Sequence, residues 1–418
     1  MQLKINLLTI SIFGAISLAH AQQFNCYQDH GAAVNISTVA DIQQLASCVN
    51  SGYTESGVTF NLMNDIDFSG ETQTVPIGTQ STPFDGTFTG LTSYHGIARY
   101  SRIKNLSING TGDTSGLFGY VGANGVIQNL KLINLNQISN STSNGGLVGV
   151  LNGGMVSNVF TSGSMYLTPE EPSMIAGGLV GKNINGTITH SATTININVL
   201  DSINPAIVGG LVGFQDRGEI DSSYASGSTT GQNYTMFLGG LVSIQNSGTI
   251  DSSYSTGSIT ITGGGYNYAG GLVAQVYGGT ISNSYSQVNI SLNGDDQSLW
   301  AASLICSLMP NINSIHIINS YATGAVNGDV ASQGGLVAEI IPSNYPITCS
   351  NSYWNIQTTN QNTSLKCPTG GRNTTQMFES GTYESWDFNN IWGINEESGN
   401  GFPYGYPYLY SNHESYAI

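Results

Sequence analysis

The chain has 418 residues, of which 8% are charged and 54 are glycine, and its formal net charge is -16. That balance excludes nucleic acid and anionic lipid surfaces as partners, because both need basic patches. Hydrophobic residues make up 39% of the chain and recur periodically, which excludes a disordered low-complexity polymer.

The first element in chain order is a leader. "MQLK" is a basic start, "INLLTISIFGAISL" an apolar run, and Ala19-His20-Ala21 a small-residue cleavage site, so residues 1–21 read as a cleaved signal peptide. The run is too short for a membrane span, and no later run is long enough. No transmembrane anchor is expected after the leader is removed, and the mature chain is expected outside the cell, secreted or on the surface. Export permits disulfides. Among five cysteines, proximity in sequence favours Cys26–Cys48 and Cys349–Cys367, which leaves Cys306 unpaired.

Residues 22–112 read as an N-terminal cap followed by irregular first rungs. In "STVADIQQLASCVN", Thr38 and Asp41 have capping-box spacing, and Val39, Ile42, Leu45, Ala46 and Val49 share one helical face. This short amphipathic helix is expected to cover the open end of whatever follows. "FNLMNDIDFSG" and "VPIGTQSTPFDGTFTG" then begin the rungs.

From residue 113 to 355 the chain repeats itself. The leucine of "GGL" or its variants falls at Leu117, Leu147, Leu179, Leu211, Leu241, Leu272, Leu304 and Leu336, at intervals of 30 to 32 residues. Eight units of about 31 residues indicate a solenoid. Each unit holds short β-branched runs between Gly, Asn and Ser, as in "GGLVG", "GTIDSSY" and "GSITIT". These read as three short strands per unit, and stacking them gives an all-β parallel β-helix in which each unit needs its neighbours to bury its apolar face. The rung "ASLICSLMPNINSIHIINSYATGAV" lacks both glycines and has extra residues, so it is expected to bulge.

Three columns follow the isoleucine of each unit. The first holds Asn129, Asn158, His190, Ser222, Ser252, Asn283, Asn319 and Asn351, read as an asparagine ladder at a corner. The second, from Leu130 and Val159 to Ser352, holds small or apolar residues and should point inward. The third holds Lys131, Phe160, Ala192, Tyr224, Tyr254, Tyr285, Tyr321 and Tyr353. A lysine ammonium inside a thin β-helix would be unpaired and costly, so this column should face out, with rings about 4.8 Å apart. Stacked tyrosines stabilise neighbouring rungs. The functional alternative is a flat aromatic strip at Tyr224, Tyr254, Tyr285 and Tyr321 that binds a glycan or a host or cell-surface protein. Residues 356–418 leave the repeat and are rich in aromatics, including Trp386, Phe388, Trp392 and Tyr406; they are expected to form an irregular aromatic C-terminal cap.

Laid out this way, the chain resembles GLUG-motif repeat proteins. The matching units run over roughly residues 115 to 355, with "LMNDIDFSG…VPIG…PFDGTFTG" before them and "YWN…WDFNNIW…GYPYL" after. The resemblance implies a right-handed parallel β-helix from a secreted or surface bacterial protein, often part of an adhesin.

Some parallel β-helices act on polysaccharides, which takes paired carboxylates, often with a basic residue or Ca²⁺. The best acidic set is Glu219, Asp221 and Asp251. The first two flank an inward Ile220, and Asp251 lies one rung beyond Asp221, about 5 Å away. It could be a weak metal site, but its members sit in repeat columns, where a solvated polar surface is the simpler reading. The histidines show no metal-ligand spacing, no serine elbow occurs, and no glycine cluster forms a phosphate loop. No cofactor and no catalytic residue is therefore expected. The reading is a non-enzymatic, adhesin-like binding or structural β-helix, with a glycan lyase or hydrolase as the alternative.

Overall fold

The computed structural model describes residues 33–412 apart from 54, 74, 95–96, 171–172, 201–203, 233–234, 294–297, 312, 329–330 and 397–404. The leader at residues 1–21 and Cys26, with its expected pairing to Cys48, lie outside the described residues.

The chain winds into a parallel β-solenoid. Two eight-stranded sheets and one 27-stranded sheet run its length. One turn shows the plan: strands at Met236–Gly239, Val242–Gln245, Gly248–Asp251, Tyr254–Ser255 and Ser258–Thr262. There are thus five short strands per turn rather than three. The "GGL" element is a corner, not a strand: Gly239 ends one strand, and the next begins at Val242. A Cβ on Gly239 would run into the Val242 carbonyl oxygen, so only glycine or a slight widening fits there.

The columns align as the repeats require. Gly218, Ile220, Asp221 and Tyr224 pair with Gly248, Ile250, Asp251 and Tyr254. Ile188, Ile220, Ile250, Ile281 and Ile317 are fully buried in one core that runs the length of the solenoid. In the glycine-poor rung, Ala302 stays in register with Gly270 and Gly334. The extra residues there are extruded between Leu308 and Ile315. The expected bulge is therefore a loop that leaves the corner undisturbed.

The asparagine column is first a backbone device. All eight residues, from Asn129 to Asn351, have φ between 46° and 56°, the left-handed region that Asn tolerates best. Side-chain contacts along the axis are intermittent: Asn158 Nδ2 donates to Asn129 Oδ1 at 2.8 Å, and Asn319 Nδ2 to Asn283 Oδ1 at 3.4 Å. The ladder breaks where His190, Ser222 and Ser252 stand in.

The continuous ladder is one residue later, in serine. The hydroxyls of Ser191, Ser223, Ser253, Ser284, Ser320 and Ser352 each donate to the carbonyl two residues back, at 2.6–2.9 Å. Each also accepts the backbone N–H of the same column one rung earlier, at 3.1–3.3 Å. From the corner at Asn158 to that at Asn319, each left-handed residue interrupts the strand pairing, and the serine of the next turn satisfies the buried amide this leaves.

At the N-terminus, the helix Val39–Asn50 forms as its capping box requires: Thr38 Oγ1 accepts the Asp41 N–H at 3.1 Å, and Asp41 Oδ2 accepts the Thr38 N–H at 2.9 Å. Its Ile42, Leu45, Ala46 and Val49 join the solenoid core. Strands Thr59–Leu62 and Thr87–Thr89 stack beneath Val126–Ser139 and bring Phe60, Phe88 and Ile127 into line.

The C-terminal segment has two parts. Residues up to Arg372 close the solenoid end: Gly371–Arg372 pairs with Trp354–Asn355, and Trp354 is buried in the core. A Cys349–Cys367 disulfide, with Cα atoms 5.5 Å apart, ties this closure. Cys306 is unpaired and buried. From Asn373 onward the chain turns back over the outside of the solenoid. This clasp carries Met377, Tyr383, Trp386, Trp392 and Leu409, which pack with Tyr285, Tyr321 and Tyr353 in a second apolar cluster. No helix among the described residues is long and apolar enough to cross a membrane.

Candidate functional site

The tyrosine column lies outside the solenoid core, as the Lys131 argument requires, with Lys131 aligned to Phe160 and Tyr224 aligned through to Tyr353. Rings of Tyr224, Tyr254, Tyr285 and Tyr321 stack at 4.7–4.8 Å within 10° of parallel. Outward does not mean accessible here. Tyr321 is 0% and Tyr285 8% exposed, because Trp386, Trp392 and Tyr406 pack against them. The Tyr321 hydroxyl donates to the Pro407 carbonyl at 2.7 Å. Burial pushes both phenols well above their ordinary pKa. The expected open strip is therefore corrected at these two positions: the clasp occupies it. Tyr224 and Tyr254 stay partly exposed; Tyr254, held between Tyr224 and Tyr285, turns its ring edge to solvent, and Tyr224 has Ala192 as its other neighbour in the column.

A second aromatic ladder runs along one of the eight-stranded sheets. Phe237, Tyr268 and Trp300 stack at 5.2 and 4.9 Å, within 9° of parallel. Tyr266, 61% exposed, lies 6.2 Å from Trp300. The next residue in the column is Ser332, so among the described residues the column of stacked rings ends at Trp300. Burial, with the Glu339 carboxylate nearby, pushes the Tyr268 phenol up to about 12. The sequence carries a signal for this ladder in an aromatic two residues before the corner in "MFLGGL", "NYAGGL" and "LWAASL". Alignment from the isoleucine alone passes over it.

The outward sides of the two eight-stranded sheets also approach each other across the glycine corner: a Cβ on Gly213 would meet Ala176 O and Ile175 Cγ2. Toward the N-terminal end they enclose a cleft of about 540 Å³. Thr114 and Ser143 line one wall; Tyr120, Val150 and Lys182 line the other. Lys182 shares its column with Tyr120, Val150, Phe214 and Ile244 and, beyond these, with Gln275, Ser307 and Glu339, so the cation stands among apolar neighbours in the turns on either side of it. Burial pushes its pKa down, and Asp113 at the rim pushes back.

Set against known families, residues 265–291 match the GLUG motif. That turn carries the GLUG motif, and the match supports a GLUG-motif repeat protein. No curated protein matches its sequence. Two solved structures are similar to the GLUG solenoid. An IgA1 protease aligns at 16% identity with a TM-score of 0.47, over 71% of this chain and 22% of its own. A Bacteroides ovatus protein, provisionally assigned as an immunoglobulin A1 protease, aligns at 18% identity with a TM-score of 0.48, over 91% and 92%. The GLUG chain thus spans about a fifth of the length of the first.

The acidic set of the GLUG protein does not form a metal centre. Asp221 and Asp251 are register partners, but their oxygens are engaged locally. Asp251 Oδ1 accepts from Ser282 Oγ at 2.5 Å and Asn283 Nδ2 at 2.9 Å, and Oδ2 from Ser252 Oγ at 2.8 Å. Asp221 Oδ2 accepts from Thr189 Oγ1 at 3.2 Å. Glu219 is exposed, between Thr187 and Thr249. Among the described residues no three His, Cys, Asp or Glu side chains could hold a metal, so the metal reading of Glu219, Asp221 and Asp251 is withdrawn. Burial also drives the Cys306 thiol well above its ordinary pKa, the opposite of an activated nucleophile.

Burial pushes one carboxyl of the GLUG protein, Glu55, up to about 7. At 2% exposure, with Oε1 accepting the Asp85 N–H at 2.9 Å, it supports the cap and cannot touch a substrate. A raised carboxyl pKa means the fold binds the proton more tightly than the unfolded chain does. That stability is fully present below about pH 4.5 and is lost as pH rises through about 7. Stability is expected to fall between pH 5 and 8, by on the order of 1 kcal/mol or more, read from denaturant melts across that range. Glu55→Gln, which keeps the acceptor, should flatten that slope.

Proposed function

We propose that this GLUG protein is an exported, adhesin-like solenoid that binds a glycan on another surface without turning it over. One observation carries the reading: among the described residues the ladder of Phe237, Tyr268 and Trp300 ends on the Trp300 indole, whose next neighbour in the column is Ser332, and Tyr266 stands exposed beside it. Faces of aromatic rings, unlike their edges, stack against the C–H face of a pyranose, and an amphipathic ring suits a wet binding surface. The polar, weakly charged surface suits ligands held by hydroxyls and ring faces. Export rests on the leader at residues 1–21.

A glycan array probed with residues 22–418 tests this. Binding is expected, and Trp300→Ala should lower it by tenfold or more while the melting temperature stays within a few degrees. An array without signal overturns the reading. So does release of reducing ends or unsaturated products from a polysaccharide panel, which would make the protein an enzyme.

A further inference from the structure

We propose that the cleft at Lys182 binds the carboxylate of an acidic sugar, an inference that rests on the glycan-binding reading. Lys182 is half-buried in a column otherwise apolar in neighbouring rungs. An ammonium there is costly unless something compensates it. Among the described residues it has no ion pair within 4 Å, and no hydrogen bond is formed by its Nζ. Valine or isoleucine, as at Val150 and Ile244, would pack the same column without that cost. A residue that breaks a local pattern at a loss of stability marks a site.

The surroundings select the ligand class. Hydroxyls of Thr79, Thr114, Thr142 and Ser143 point to a polyol, while Tyr120 and Pro76 supply apolar surface for a ring. About 540 Å³ lies within the ordinary range for small-ligand sites. A single lysine, with no arginine in the lining, fits one carboxylate better than a phosphate, which typically gathers several cationic or backbone donors. The net charge of -16 repels anions from the surface at large, so an anion that binds here does so through this local contact.

Calorimetric titration of the full mature chain tests the assignment, using a glucuronate-containing disaccharide, sialyllactose and neutral lactose. One or both acidic sugars should bind saturably, and which of them does so separates uronates from sialates. Lactose should bind at least tenfold more weakly. Lys182→Met, close in volume to its column neighbours, should lower acidic-sugar affinity by tenfold or more. Asp113→Asn, an exposed change at the rim, should raise it severalfold. Trp300→Ala should leave it unchanged. Equal affinity for lactose, undiminished binding by Lys182→Met, or equally strong competition by inorganic phosphate would overturn the inference. If neither acidic sugar binds while an array signal dependent on Trp300 persists, this site fails and the glycan-binding reading stands.

Discussion

Tyr321→Ala should lower stability by about 3–5 kcal/mol, the scale of a large-to-small change in a core, whereas Tyr224→Ala should cost only about 0.5–1 kcal/mol of cross-strand stacking. The two residues share one column and one side-chain direction. They differ in what lies above them. Tyr321 is sealed under Trp386, Trp392 and Tyr406, and its hydroxyl is committed to Pro407. Tyr224 lies beyond the clasp cluster. Denaturant melts of the two variants make the comparison. Equal losses would show that the clasp contributes nothing to folding.

Removing residues 22–60 should give aggregates rather than a shorter soluble monomer. The deletion takes away the helix Val39–Asn50 and the strand partner of Thr87–Thr89. It thereby uncovers Phe88 and Phe84 together with a row of unpaired backbone groups. An exposed apolar strand edge is a template for another chain, and a solenoid without its end cover has one at every copy. Size-exclusion chromatography of the truncated chain decides the matter, and a monodisperse, cooperatively melting monomer would refute the cap assignment.

Whatever depends on period was legible in the sequence. Ile220 and Ile250 face in and Lys131 and Tyr224 face out because spacing and alternation dictate those positions locally; the Cys349–Cys367 bridge was legible for another reason, the separation of only 18 residues. Whatever depends on distant, non-repeating chain was not. Nothing near Tyr321 announces that Trp392 will cover it, because that contact is made by a segment some seventy residues downstream with no period of its own. The Lys182 cleft was hidden for a related reason. Its walls come from two sheets brought together by the tight turn at each glycine corner, and only a column drawn from the corner puts Lys182 beside Val150 and Phe214. The serine ladder was half visible: small inward residues were evident, and their double hydrogen bonds needed the left-handed corner to be seen.

The clasp also bears on how such a chain can change length over evolutionary time. Turns joined only to their neighbours, most with their own corner glycine and their own serine, can be duplicated or lost as complete cassettes. The clasp touches three successive turns, at Tyr285, Tyr321 and Tyr353, and so acts as a gauge block of fixed span. A cassette gained or lost inside that span would set its aromatic residues against the wrong turns. Growth and shrinkage are tolerable only on the N-terminal side of Tyr285, and related chains of different length should differ there while keeping the last three turns intact.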